Sequence, residues 1–147
     1  MKGDKIPDEG HLIRSVPFSK LRKADGTDDV IGILPEAFAM RDVDSYLSAT
    51  WLEHFAGSDQ QKVTAAVHTL RNSSLKISPK SGFARGKAGD IRTACSARGH
   101  SVRIVHEPEP DNDAHAAVRR YPRDELELYE VLATGAWSHW FLNADIP

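Results

Sequence analysis

The apolar segments of this chain are short, and proline ends several of them. The run at residues 11–16 stops at Pro17 and the run at 30–34 stops at Pro35, and proline cannot donate a hydrogen bond to a central strand ladder. Residues 46–51 include Tyr, Thr and Trp, which favour a pleated, half-buried surface. These segments and residues 101–106 predict short strands. Because they interleave irregularly with helical patterns, we expect an α+β fold with a small mixed or antiparallel sheet.

The clearest helix is predicted for residues 58–71. Ser58 and Gln61 have the spacing of a capping box, and Asp59 places a negative charge in the first turn, where the helix dipole favours it. Apolar residues then recur at helical spacing: Val63, Ala66, Val67 and Leu70. Further helices are expected from residue 86 or 87 to residue 98 and over 124–133, so two or three helices cover the sheet. Residues 114–120 fit either a short helix or a strand.

The length of 147 residues predicts one domain, and 40% hydrophobic with 27% charged residues is an ordinary globular composition. We assign the domain to residues 11–147 and expect residues 1–10, which are nearly all polar, to form a flexible tail. No apolar run is long enough to span a membrane, and charge follows the N-terminus directly, so a cytoplasmic protein is expected. Cys95 is the single cysteine, which excludes an internal disulfide, and its place on an apolar helix face is typical of an unreactive thiol.

Charge is unevenly distributed along the chain. Residues 71–103 contain eight Lys or Arg and one acid, whereas residues 104–147 contain nine acids and three Arg. The basic segment predicts a face that binds phosphate groups of a nucleotide or nucleic acid, although it contains no Walker A motif. The candidate phosphate-binding residues are Lys80, Arg85, Lys87 and Arg92. The alternative is that the basic segment pairs with the acidic C-terminal third inside the fold.

Residues 106–115 combine two histidines with four carboxylates. His106 ends a predicted strand, and His115 comes after an acidic loop stiffened by two prolines. Imidazole and carboxylate groups at one point could bind a divalent metal or act as general acid and base. The metal candidates are His106, His115, Asp111 and Asp113, and His11 from the first strand is a third catalytic candidate. The alternative is a solvated acidic loop with two unrelated histidines, and the pattern names no cofactor.

Four segments of the chain carry a resemblance to other proteins. Residues 37–41, 46–55 and 106–115, together with the His-x-x-Arg segment at 11–14, resemble a group of short uncharacterised bacterial proteins. The similarity extends over most of residues 11–133. It implies no fold, activity or ligand, but it marks one set of residues for attention: Arg14, Trp51, Glu53, His106 and His115.

Two functional classes follow from these patterns. The first is a small binding or accessory module for a phosphate-bearing ligand or a protein partner, using the basic segment 71–103. The second is a small metal-assisted hydrolase centred on His106 and His115. The aromatic residues at 137–141 predict either a contact surface for a partner or a cap over the core. No Gly-x-Ser-x-Gly elbow occurs, so the sequence names no serine nucleophile.

Overall fold

A computed structural model describes residues 3–147 as an α+β fold built on a six-stranded antiparallel sheet. The strands in chain order are β1 (His11–Val16), β2 (Leu21–Lys23), β3 (Val30–Ile33), β4 (Tyr46–Trp51), β5 (Gly82–Lys87), β6 (Arg103–His106), β7 (His115–Arg119) and β8 (His139–Leu142). The large sheet has the order β6-β7-β4-β1-β5-β8, and β2 pairs with β3 in a separate hairpin. The predicted fold class is confirmed.

Three helices cover the two faces of the large sheet. They are α1 (Asp59–Arg71), α2 (Ala88–Ser96) and α3 (Leu126–Val131), and a π-helical turn at Leu132–Ala136 follows α3. On one face α1 packs with Ile13 and Phe83 of the sheet. On the other face α2 and α3 pack over Leu12, Ala84 and Ile104. The sheet is therefore buried on both sides, and within residues 3–147 no helix is long and apolar enough to cross a membrane.

Helix α1 forms as its sequence pattern predicts. Ser58 caps it, with its Oγ accepting from the Gln61 N–H while the Gln61 side chain accepts from the Ser58 N–H. All four apolar residues of the predicted stripe are buried: Val63, Ala66, Val67 and Leu70. The spacing that identified the helix also identified the face that it buries.

The basic stretch before α2 is a strand rather than a glycine-rich loop. Residues 82–87 form β5, which lies between β1 and β8, and α2 begins only at Ala88. The glycines serve close packing, because a Cβ on Gly86 would lie 2.9 Å from the Trp137 ring and 3.0 Å from the Ala136 oxygen. Glycine here permits a tight approach of two elements.

The C-terminal third also settles two open predictions. Residues 115–119 form strand β7, paired with β4 and β6, so the choice between helix and strand is decided. The third predicted helix is present but shorter, since α3 ends at Val131 and passes into the π-helical turn. Trp137 is 1% exposed and stacks on Phe38 at 5.4 Å, whereas Trp140 on β8 is 39% exposed. Trp137 thus belongs to the core.

The N-terminal segment is packed where a flexible tail was expected. Met1 and Lys2 lie outside the described residues, but Ile6 is fully buried and its N–H donates to the Ile104 oxygen at 3.0 Å. The main-chain oxygen of Gly10 accepts from the Ala88 N–H, and the main-chain oxygen of Asp8 accepts from the Gly89 N–H, the first two N–H groups of α2. One buried isoleucine and these main-chain bonds attach the segment to β6 and α2, which its polar composition did not indicate.

Candidate active site

A cleft of about 430 Å³ opens on the α1 side of the sheet, where β1 and β4 separate. These two strands pair only at Leu12–Trp51 and Ile13–Thr50, so the ladder between them is short. The cleft also touches the loop after α1 and the loop between β6 and β7. A second depression of about 440 Å³ lies beside it and shares Asp111 and Asn112.

Strand alternation turns a row of polar side chains toward this cleft. Thr50 of β4 lies directly opposite His115 of β7, and Ser48 lies opposite Ala117. Directly paired residues share a face, as do residues two apart on one strand, so Ser48, Thr50 and His115 project on the same side. Ser48 is exposed to the cleft, whereas His115 is only 3% exposed.

Ser48 and His115 form a hydrogen-bonded pair. The distance from Ser48 Oγ to His115 Nε2 is 2.8 Å, and His115 Nδ1 lies 2.8 Å from the Glu107 main-chain oxygen. A carbonyl oxygen can only accept, so Nδ1 carries the proton and Nε2 of the neutral ring accepts from the Ser48 hydroxyl. A hydroxyl that donates to a ring held in one tautomer is the arrangement of a nucleophile and its general base.

Two acidic residues of the β6–β7 loop surround this pair. Glu109 Oε1 is 3.8 Å from His115 Nε2, and its Oε2 accepts from the Tyr46 hydroxyl at 3.3 Å. Burial, followed by the Glu109 charge, raises the pKa of Tyr46, so its hydroxyl remains a donor. Glu107 forms a two-pronged ion pair with Arg119. Glu109 is therefore the acid placed to stabilise a positively charged His115.

The loop between β6 and β7 is fixed to the rest of the cleft at two points. The buried Asn112 donates to Thr50 Oγ1 at 3.0 Å and accepts from the Ala114 N–H. Asp111 Oδ2 accepts from the Ser74 N–H at 2.7 Å, and this main-chain bond lowers the pKa of the Asp111 carboxyl. The loop is thus held by specific bonds, and its four carboxylates do not converge on one point.

Arg14 lines the cleft at the place where β1 and β4 part. Its Nη1 donates to the Ser48 main-chain oxygen at 2.6 Å and its Nε donates to the Ala37 oxygen at 2.9 Å. Burial lowers the pKa of this guanidinium to about 10, so it stays charged at neutral pH. Arg14 therefore bridges β1 and β4 where the strand ladder is missing. Its pairing with Ala84 places its side chain on the α2 face of the sheet, whereas the Ser48 side chain projects on the α1 face.

The structure does not bring the three predicted catalytic histidines together. His106 lies opposite Ala116, so it projects on the other face of the sheet from His115. His11 pairs with Glu53, with Nδ1 2.9 Å from Oε2. Among residues 3–147, no group of three or more His, Cys, Asp or Glu side chains is placed to hold a metal ion. The residues predicted as a joint metal site do not form one, because strand alternation separates the two histidines.

His106 instead belongs to an aromatic cluster on the α2 side. Its ring lies 5.3 Å from Trp51 and 5.4 Å from His54, measured between ring centroids, and its Nε2 donates to the Asp113 oxygen at 2.7 Å. Nδ1 of His106 and Nε1 of Trp51 are buried with no hydrogen-bond partner within the described part of the chain. Trp51 and His106 thus lie on the opposite face of the sheet from His115, although the resemblance marks them as members of one set.

Most candidate phosphate-binding residues are paired with acids. Arg85 bonds Asp59 at 2.8 Å, Arg92 bonds Asp8 at 2.5 Å, and Lys80 lies 3.6 Å from Asp28. These acids come from the first 70 residues, whereas the alternative expectation placed the partners in the C-terminal third. Arg98 does follow that expectation, with its Nη2 2.9 Å from Glu127. Lys87 is exposed. The four candidates lie on a loop, on β5 and on α2, and three of them pair separately with acids.

Ser48 and Tyr46 escaped the sequence analysis, although a signal was present. In the predicted strand 46–51, Tyr, Ser and Thr occupy every second position, which marks one polar face. The sequence does not show the strand register that places this face of β4 beside His115 of β7. The buried Cys95 offers no competing nucleophile, since burial raises the pKa of its thiol to about 11.

Comparison with known proteins yields no match: no protein-family model, no curated protein and no solved structure is similar to this chain.

Proposed function

We propose that this protein is a small serine hydrolase that cleaves carboxylic esters, with Ser48 as nucleophile and His115 as general base. The observation that carries the proposal is the 2.8 Å bond from Ser48 Oγ to His115 Nε2, with the other ring nitrogen fixed by the Glu107 oxygen. The cleft of about 430 Å³ is within the range of small-molecule sites. Serine chemistry replaces the metal-assisted reaction expected from the histidines.

In the first step, Ser48 Oγ forms a bond to the ester carbonyl carbon while its proton passes to His115 Nε2. The resulting imidazolium then lies 3.8 Å from Glu109 Oε1, which stabilises its charge. As the tetrahedral adduct collapses, the bond from carbon to the alcohol oxygen breaks, and the alcohol leaves with the proton from Nε2. Water then attacks the acyl-serine with His115 again as base, releasing the carboxylic acid and restoring the Ser48 hydroxyl.

The proposal is tested with p-nitrophenyl esters of short acids and with a fluorophosphonate probe read by mass spectrometry. We expect ester cleavage and a covalent adduct on Ser48. Ser48→Ala loses both, and His115→Gln, which keeps a side-chain partner for Ser48, lowers kcat/KM by about 10²–10⁴-fold. Ser101→Ala is the matched control, because Ser101 is exposed and distant in sequence from the cleft. A folded wild-type protein without cleavage or adduct would overturn the proposal.

A second candidate function is polyanion binding by the exposed end of β5. Strand pairing places His11 opposite Lys87 and His139 opposite Arg85, so these four side chains share one face. Two of them are paired with acids, Arg85 with Asp59 and His11 with Glu53, and Lys87 is the exposed cation among them. Phosphate contacts of this kind make log affinity fall with log salt by about 0.9 per contact on duplex DNA. Retention on heparin at about 50 mM salt, and earlier elution of Lys87→Glu than of Arg103→Glu, would support this function. Absence of retention by the wild type would exclude it.

A further inference from the structure

We infer that the acyl group of the substrate is apolar and that three side chains, the apolar wall of Leu70, Leu75 and Ile77, bind it. This inference rests on the proposed function, because it names the substrate class of the Ser48 cleft. Three observations support it. The wall lies on the α1 side of the sheet, hydrogen bonds hold the loop that presents Leu75, and strand order places His115 away from the wall.

The apolar wall lies on the same side of the sheet as the Ser48 side chain. Leu70 and Ile77 belong to the hydrophobic cluster between α1 and the sheet, and both line the cleft together with Leu75. Leu70 is almost fully buried, Ile77 is half-buried and Leu75 is 51% exposed. The apolar surface of the cleft therefore continues from the core to a leucine that solvent reaches. Covering such a surface with an apolar group is favourable.

Hydrogen bonds hold the loop that presents Leu75. The Leu75 N–H donates to Ser73 Oγ at 3.2 Å, and the Ser73 hydroxyl donates to the Leu70 oxygen at 2.7 Å. The Ser74 N–H donates to Asp111 of the β6–β7 loop, which also borders the cleft. A binding surface gains affinity when its groups are already in place in the free protein. The half-exposed Leu75 is thus positioned by its neighbours before any ligand arrives.

Strand order separates the apolar wall from His115. His115 lies on β7, on one side of β4. Ile77 packs against the cluster that contains Ile13 of β1 and Phe83 of β5, and both of these strands lie on the other side of β4. His115 Nε2 must return its proton to the departing alcohol, so the alcohol lies on the β7 side of Ser48. The acyl chain then extends toward β1 and the apolar wall.

The first arm of the test compares p-nitrophenyl acetate, butyrate and hexanoate as substrates of the wild-type protein. Each methylene that the wall covers should raise kcat/KM by about fourfold. Leu75→Ser should reduce this rise. Leu126→Ser is the matched control, because Leu126 is 53% exposed and belongs to α3 on the other face of the sheet. Equal kcat/KM for acetate and hexanoate, or an unchanged rise in Leu75→Ser, would overturn the inference.

The second arm places the same chains in the alcohol. Acetate esters of ethanol, butanol and hexanol extend toward the β7 side of the cleft, so we expect no comparable rise of kcat/KM with chain length. A rise with the length of the alcohol and none with the length of the acid would overturn the assignment of the wall to the acyl group.

The third arm measures binding without catalysis. Hexanamide and acetamide, which carry the acyl groups without an ester bond, are titrated into the Ser48→Ala protein while the ¹³C methyl resonances of Leu75 are followed. We expect hexanamide to shift these resonances at the lower concentration. Such shifts without ester cleavage by the wild type would overturn the hydrolase proposal and keep the apolar site. Cleavage with no dependence on chain length and no shift would overturn the inference and keep the hydrolase. Neither cleavage nor shift would overturn both.

Discussion

Among single residues, Asp111 controls how two loops meet at the mouth of the cleft. Its carboxylate accepts from the Ser74 N–H at 2.7 Å, and this bond holds the pKa of Asp111 below its ordinary value. A carboxyl group with a lowered pKa stabilises the fold above its usual pKa, near 3.9, and loses that contribution as the pH falls through the lowered value. The connection between the loops is therefore complete at neutral pH and weakens only in acid.

Asp111→Ala should lower the Tm at pH 7, and the difference from wild type should shrink as the pH falls below about 4. Thermal unfolding followed by circular dichroism at several pH values measures this. Asp113→Ala is the matched control, because the hydrogen bond to His106 uses the Asp113 main-chain oxygen and survives the substitution. A difference that stayed constant down to pH 2 would contradict the assignment.

Of the two residues at the centre of the proposed site, the sequence analysis named His115 and did not name Ser48. His115 was conspicuous because two histidines and four carboxylates fell within ten residues. Yet its partner is a serine 67 positions earlier in the chain, and only the register of β4 against β7 joins them. His106 looked equivalent in sequence, but one residue of strand register places it on the opposite face. A sequence identifies the residue types of a site more readily than it identifies the face of the sheet on which each side chain lies.

At the level of elements, α1 and β5 show what local pattern can and cannot predict. The α1 stripe and cap depend on residues within one helix, so the pattern contains all the information needed. Strand β5 (Gly82–Lys87) has glycines and bases that indicate a loop, and only its neighbours β1 and β8 make it a strand. Tertiary contacts override weak local preference there.

Val67→Asp should destabilise the protein by several kcal/mol, because it places an unpaired charge at a fully buried position of α1. Urea unfolding gives the free energy directly. Gln60→Asp is the control, since it adds the same charge at an exposed first-turn position, where the dipole favours it. Equal stabilities of the two variants would remove the packing argument for α1.

At the scale of the whole molecule, the N-terminal segment closes one edge of the sheet. The Ile6 N–H donates to Ile104, and the His106 N–H donates to the Asp4 oxygen at 2.8 Å, so main-chain groups of β6 that would face solvent are bonded. Arg92 adds an ion pair to Asp8. An uncovered strand edge is a template for pairing with another chain. The segment thus covers the β6 edge, where another chain could otherwise pair.

Ile6→Ala should cost about 2–5 kcal/mol in unfolding free energy, the usual range for truncating a buried isoleucine. Loosening of the segment should also expose β6, so we expect more self-association in size-exclusion chromatography at high concentration. Glu9→Ala, at an exposed position of the same segment, should change neither property. If Ile6→Ala had the same free energy of unfolding and the same elution volume as wild type, the segment would not protect this edge.

The narrow seam between β1 and β4 divides the six-stranded sheet into two halves. Three strands lie on each side of it, β6-β7-β4 and β1-β5-β8, and two residue pairs with the Arg14 side chain join them. Local opening in proteins follows such boundaries, because fewer bonds must break there. Amide hydrogens along the seam should therefore exchange with solvent by a sub-global opening, earlier than those in the middle of either half. A ligand that contacts both β1 and β4 would slow that exchange, so the exchange rate along the seam would report whether the cleft is occupied.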